Sequence, residues 1–264
     1  MPVNAITNRP DEPPLSLEQQ AYDAIRRALM GGSFKPGDRL SIRRVAAALG
    51  TSPMPARAAL QRLAAEQVVD VLPSGTVVVP LLTRASFLEL LAIRLQLEPL
   101  AAGLAAPQAD KPLLAALDRR IGTLEAALAR GDMDAVLTEN QHFMFDIFRA
   151  ARAPMLLGFI ESLWLRRGPL YWSARAALLR WNAPFTRHKA AVAALRRGDG
   201  AAAGLAIRAE IESTSGFLLA ELRFCDDPPA PSGVAALGTL PRPAARTAGK
   251  TAAPGRGGNS RSRP

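Results

Sequence analysis

The sequence predicts a mainly α protein, with an N-terminal winged helix-turn-helix followed by a C-terminal all-helical bundle. Three observations point there. Ser41 to Leu63 reads as two short amphipathic helices divided by a glycine and a capping residue. A β-rich stretch around a Pro-Ser-Gly turn follows it, and from Thr83 to about Phe224 the pattern is helical throughout, rich in Ala, Leu and Arg.

Residues 1–14 carry four prolines and no periodic pattern, so a disordered leader is expected there. A helix follows from Ser16, with Leu17, Ala21, Ile25, Ala28 and Leu29 inward and Gly31-Gly32 at its end. Lys-Pro-Gly-Asp turn chemistry then leads into the helix pair. Ser41 is placed to cap the first helix, Gly50 to end it in the left-handed conformation, and Ser52 to cap the second, with Pro53 at its first position. Ala56, Ala59, Leu60 and Leu63 share one face of that second helix, which turns Met54, Arg57, Ala58 and Gln61 outward, where a major groove would meet them. The run VVDVLPSGTVVVPLL reads as a small hairpin, a wing with Gly75 at its tip.

Beyond Thr83, breaks are expected at Pro107 to Pro112, Gly131-Asp132, Ala153-Pro154, Gly168-Pro169, Pro184 and Gly198 to Gly200, which divides the segment into six or seven bundle helices. The predicted organisation is a leader (1–14), a winged-helix DNA-binding domain (15–82), a helical ligand-binding and dimerisation domain (83–225) and a disordered basic tail (226–264). The tail is too poor in large apolar residues to pack.

The net charge of +10 favours a polyanionic partner, yet its distribution matters more than its total. Six basic residues and no acidic one lie from Pro228 onward, so the chain before that point carries only +4. Residues 15–82 hold eight Lys/Arg against five Asp/Glu, and the case for DNA there rests on where those charges stand. The single cysteine, Cys225, excludes an intrachain disulfide, and the absence of a long apolar run or signal core predicts a cytoplasmic protein with no membrane partner. No phosphate loop, GxSxG, HExxH or CxxC motif is present, and two histidines leave little material for a triad, so no catalytic residue, and no enzyme, is expected.

The stretches AIRRALMGGSFKPGDRLSIRRVAAALGTS, PARAALQRL and SGTVVV, followed by AIRLQLEPLAAGLA, NQHFMFDIFRAARAPML, ESLWLRRGPL and RHKAAVAALRRGD, resemble the GntR family of bacterial transcription regulators, in its FadR-like branch with an FCD-type effector domain. The resemblance covers roughly residues 15–224. It implies a homodimer that binds double-stranded DNA at a short palindromic operator, acts as a repressor, and is tuned by a small-molecule effector, commonly an organic acid. Where the family reads Ser/Thr-Arg-Thr-Pro-Val-Arg-Glu-Ala-Leu, this chain reads Ser52-Pro53-Met54-Pro55-Ala56-Arg57-Ala58-Ala59-Leu60, keeping only the second arginine. Arg43, Ser52, Met54, Arg57, Gln61 and Gly75 are the implied DNA-contacting positions. A proline in place of an arginine that could pair with guanine alters the expected operator preference. An alternative from another class is a helical binding or scaffolding protein whose degenerate recognition helix no longer reads specific DNA.

In the helical part, Phe87, Leu90, Leu91, Ala101 and Ala105 form an apolar stripe with Arg94 and Glu98 in its middle. Two readings stand: an i,i+4 ion pair that holds the bundle, or an arginine that receives a carboxylate ligand while Glu98 orients it. Asn140 and Met144 share a face with Phe143 and Ile147, His188 lies among Phe185, Val192 and Leu195, and Glu210 among Ala206, Ile207 and Phe217. In metal-binding relatives these four positions hold Asp, His, His and His. Here only His188 and Glu210 suit zinc or nickel, so no metal and no cofactor are expected, and a metal-dependent enzyme in the bundle is the weakest reading. Arg94, Asn140, Met144, His188 and Glu210 are the candidate effector residues, with Glu210 a possible neighbour that satisfies His188 in the core. Trp164, Tyr171, Trp172 and Trp181 could line a pocket or simply pack, and the paired arginines, 166–167 among them, read mostly as solvated faces.

Overall fold

A computed structural model describes residues 15–226. The expected leader at 1–14 lies outside them, as does the basic tail apart from its first residue. The first elements are α1 (Leu17–Met30), β1 (Arg39–Leu40), α2 (Ile42–Leu49), α3 (Pro53–Ala65), β2 (Asp70–Val71) and β3 (Val77–Val78). Gly50 ends α2 in the left-handed conformation at φ 63°, and Pro53 opens α3. Ser41 and Ser52 stand at the two cap positions, but neither side chain makes the expected cap hydrogen bond. The buried face of α3 is Ala56, Ala59, Leu60 and Leu63, as the periodicity requires. It packs on Ala21, Tyr22, Ile25 and Leu29 of α1. Leu17, expected inward, is instead 60% exposed in the first turn, and Ala28 is half-buried.

The wing is shorter than the apolar runs suggested. Its strands hold two residues each, and β3 lies between β1 and β2, antiparallel to both. The remaining valines, Val68, Val69 and Val79, are buried beneath this sheet and fill the core rather than extend the strands. That three-stranded arrangement ties the loop before α2 to the wing after α3.

Seven helices follow: α4 (Arg84–Ala105), α5 (Lys111–Ala129), α6 (Met133–Ala150), α7 (Pro154–Ser173), α8 (Arg175–Trp181), α9 (Thr186–Arg196) and α10 (Gly200–Glu221), with a 3-10 turn at Ala106–Gln108. Side chains of Thr83, Asp110, Asp132 and Asp199 accept from backbone N–H groups at the starts of α4, α5, α6 and α10, which fixes four of these seven helix entries by local chemistry. The expected break at Gly168-Pro169 is absent. Helix α7 runs unbroken through both residues, which are buried, and packing on two sides overrides the local penalty of about 3 kcal/mol for an interior proline.

The two parts are not joined by a hinge alone. Leu165 of α7 is 1% exposed and belongs to the same apolar cluster as α1 and α3. Arg26 of α1 bridges Glu161 at 2.7 Å, the Trp172 indole donates to the Met30 carbonyl at 2.7 Å, and Arg166 donates to Gln67 at 2.8 Å. One face of α7 is therefore a docking surface for the winged helix.

Candidate DNA surface and effector cavity

On the winged helix, Arg43 at the start of α2, Ser52, Met54, Arg57 and Gln61 on α3, and Gly75 at the wing tip are all exposed. Met54 is 70% exposed, unusual for an apolar side chain with core nearby. Arg43 and Arg57 make no hydrogen bond or salt bridge with another described residue, whereas Arg62, one turn further along α3, is bound to Glu66 and stacked on Tyr22. Two guanidinium groups are thus free to meet phosphate or a base edge. Gly75 has φ 75°, which lets the wing turn tightly without a side chain at its tip.

Within the bundle, a cavity of about 70 Å³ opens between α6, α8, α9 and α10. Its walls are mostly apolar, Val136, Leu137, Leu178 and Phe185 among them, and its polar groups are Asn140, Tyr171, His188, Glu210 and Thr214. The neighbour that satisfies His188 is Asn140, whose Oδ1 lies 2.8 Å from Nε2. Glu210 stands 3.9 Å from Nδ1, too far for the hydrogen bond the sequence allowed, and its own carboxylate accepts from Thr214. With Nε2 donating to Asn140, Nδ1 keeps its lone pair, and that atom is buried without a partner. Burial pushes the imidazole below its ordinary value against the opposing pull of Glu210, so His188 is neutral at pH 7. His188 Nδ1 and Glu210 together form an acceptor pair, suited to a hydroxyl or N–H of a ligand rather than to its carboxylate.

Met144 and Arg94 do not line this cavity. Met144 is 2% exposed and packs in the main apolar core. Arg94 is committed elsewhere: its Nε and Nη2 donate to the two Glu98 oxygens at 2.6 and 3.2 Å, and its Nη1 donates to the Tyr171 hydroxyl at 3.1 Å. Glu98 also accepts from the Trp164 indole at 3.1 Å. A guanidinium with its fork spent on an internal carboxylate has little left for a ligand, so the ion-pair reading describes Arg94.

Arg167 is the residue the sequence reading missed. As one of a pair of adjacent arginines it reads as a solvated face, yet it is 5% exposed, stacked over the Trp164 ring at 3.5 Å and the Tyr171 ring at 4.1 Å. The available signal was its place on the Trp164-Arg167-Tyr171 face, spaced three and four residues apart inside an apolar helix. Burial and the neighbouring Arg94 pull its guanidinium down to about 10, which still leaves a cation at neutral pH. Burial would raise the Tyr171 phenol, but Arg94 and Arg167 beside it outweigh that and hold it below its ordinary value.

A bound metal does not fit this cavity. Among the described residues no group of three or more His, Cys, Asp or Glu is placed to hold one, and of the four positions only the Asn140 amide, the His188 imidazole and the Glu210 carboxylate face the cavity.

A winged helix with free arginines, docked on a helical bundle that holds a mostly apolar cavity, defines a DNA-binding regulator with a built-in sensor. The chain belongs to the GntR family of bacterial regulatory proteins: residues 17–79 match the family's DNA-binding domain and residues 89–213 match the FCD domain. It is 34% identical over 170 residues to the HTH-type transcriptional regulator McbR of Escherichia coli K12, spanning 63% of this chain and 77% of that one. The solved structure of E. coli McbR/YncC superposes with a TM-score of 0.70 at 29% identity, covering 78% of this chain and 98% of that one. A putative GntR transcriptional regulator from Rhodococcus sp. RHA1 gives a TM-score of 0.65 at 25% identity, over 79% of this chain and all of that one.

Proposed function

We propose that this protein is a homodimeric, cytoplasmic repressor that reads a palindromic operator through residues 15–82 and releases it when a small organic acid occupies the bundle formed by residues 83–225. The observation that carries the reading is the outward face of α3, where Arg57 stands exposed and unpartnered between Met54 and Gln61. Such a face can meet a groove without giving up an internal bond, so its contacts with DNA have only the loss of water to offset.

Support for the dimer comes from α4, where Ile93, Leu100 and Leu104 share one face and are each more than 40% exposed, and from Leu205 of α10, exposed by 65%. An apolar row of that length is suited to a second copy, and two copies place two recognition helices for the two halves of a palindrome. Among the described residues no helix is long and apolar enough to cross a membrane.

Two measurements test the proposal. Selection from a random duplex pool is expected to return one palindromic sequence, with specific binding about a thousandfold or more tighter than non-specific. Sedimentation at micromolar concentration is expected to show a dimer that Leu100→Glu with Leu104→Glu converts to monomer. Binding that is weak and indifferent to sequence supports instead a scaffolding role for a recognition helix in which Pro53 stands where relatives carry arginine.

A further inference from the structure

We infer that Arg167 receives the anionic group of the effector, at a small second cavity set between the bundle and α1. The inference rests on the reading of the bundle as the binding site for a small organic acid, and it moves the acid-binding role from Arg94 to a residue with an uncommitted charge.

The first argument is charge balance. Arg94 and Arg167 lie within one buried cluster with a single carboxylate, Glu98, and Glu98 is fully taken up by Arg94 and the Trp164 indole. Arg167 is stacked on two rings at 3.5 and 4.1 Å with the Tyr171 hydroxyl beside it, it makes no ion pair of its own, and its Nε is buried with no hydrogen-bond partner. Stacking on aromatic faces stabilises a guanidinium but does not neutralise it. A buried cation without a counter-ion is costly, and an arriving carboxylate relieves that cost while supplying acceptors for the planar fork.

The second argument is location. Arg167 lines a cavity of about 20 Å³ together with Asn140, Gln141, Tyr171, Met30 and Trp172. That volume admits one water-sized group, the oxygen end of a carboxylate. Leu137, Asn140 and Tyr171 belong to the walls of both this cavity and the 70 Å³ one. The larger cavity offers apolar walls for carbon atoms and the His188-Glu210 acceptor pair for a hydroxyl. The smaller one offers the missing positive charge. Glu210 makes the larger cavity a poor place for the carboxylate itself.

The third argument is the readout. Met30 and Trp172, which wall the small cavity, are bonded to each other across the junction with the winged helix, and Gly168, adjacent to Arg167, is pressed against α1. An anion on Arg167 therefore acts on the same turn of α7 that α1 docks on. Its differential affinity for the two docking states sets how far it moves the DNA-binding equilibrium.

The test uses the full-length protein and formate as the probe, with sodium chloride at equal ionic strength as the control. Wild type is expected to show a saturable rise in melting temperature and a change in tryptophan fluorescence with formate alone. Arg167→Met is expected to lose the saturable response and, in anion-free buffer, to melt no lower than wild type, because it removes a buried uncompensated charge. Arg167→Lys keeps the charge but not the fork, and its apparent affinity is expected to fall about tenfold. A wild type without a saturable response, an Arg167→Met protein that keeps it or melts lower in anion-free buffer, or an unchanged affinity in Arg167→Lys overturns the assignment. If Arg167→Met loses the response while wild type selects no operator, the anion site stands and the regulator reading fails. If the response persists in Arg167→Met, the acid is bound elsewhere in the bundle.

Discussion

A Cβ placed on Gly168 of α7 would meet the backbone carbonyl oxygen of Leu29 in α1 at 2.9 Å. The two helices touch main chain to main chain, and only the absence of a side chain permits it. Gly168→Ala gains about 1 kcal/mol of helix propensity, but its methyl presses on backbone that cannot rotate away, at a cost of about 1–3 kcal/mol. The expected outcome is net destabilisation and a weakened link between effector and operator binding. Gly158→Ala on the same helix, where a Cβ meets nothing within 4 Å, is the control and is expected to be neutral or stabilising in thermal melts.

Glu98 is fully buried and neutralises Arg94. Glu98→Gln leaves that guanidinium unpaired in the core, for an expected loss of about 3–5 kcal/mol in urea denaturation. The double variant with Arg94→Met is expected to recover much of it, which a single structural role for Glu98 apart from Arg94 does not predict.

His188 gives a pH dependence of known sign. Its folded value is depressed below 6.5 chiefly by burial, so the unfolded chain takes up the proton first as pH falls. Stability from this group is complete above pH 6.5 and declines as pH drops below it. Melting temperatures measured from neutral to mildly acidic pH are expected to fall more steeply for wild type than for His188→Gln. Parallel curves would remove His188 as the source.

On the DNA side, Arg57→Ala is expected to cost about 1–3 kcal/mol of operator affinity while leaving the melting temperature unchanged. Arg43→Ala is expected to weaken all sequences alike and to lower the salt-dependence slope by about one. A changed base preference for Arg43→Ala would assign it to base readout instead.

The sequence by itself determined what depends on neighbours along the chain. Gly50, Pro53 and the spacing of Ala56, Ala59, Leu60 and Leu63 specify the helix-turn-helix, because a left-handed residue, a fixed φ and a 3.6-residue period act within one or two turns. The exposed face with Met54, Arg57 and Gln61 follows from the same period. The same period places His188 and Asn140 on apolar faces, while it is the resemblance to the family that singles them out as candidate effector residues. Tertiary structure alone decided the rest. Gly168-Pro169 reads locally as a break, and it became helix because α1 and the bundle core both pack on that turn. Arg94 and Arg167 look alike as basic residues in helical stretches, yet one is neutralised by Glu98 four residues away and the other stands between two rings with no carboxylate of its own. That difference depends on which helices meet around Trp164 and Tyr171, and a pairing across 77 residues, as between Arg94 and Tyr171, leaves no period in the chain to read.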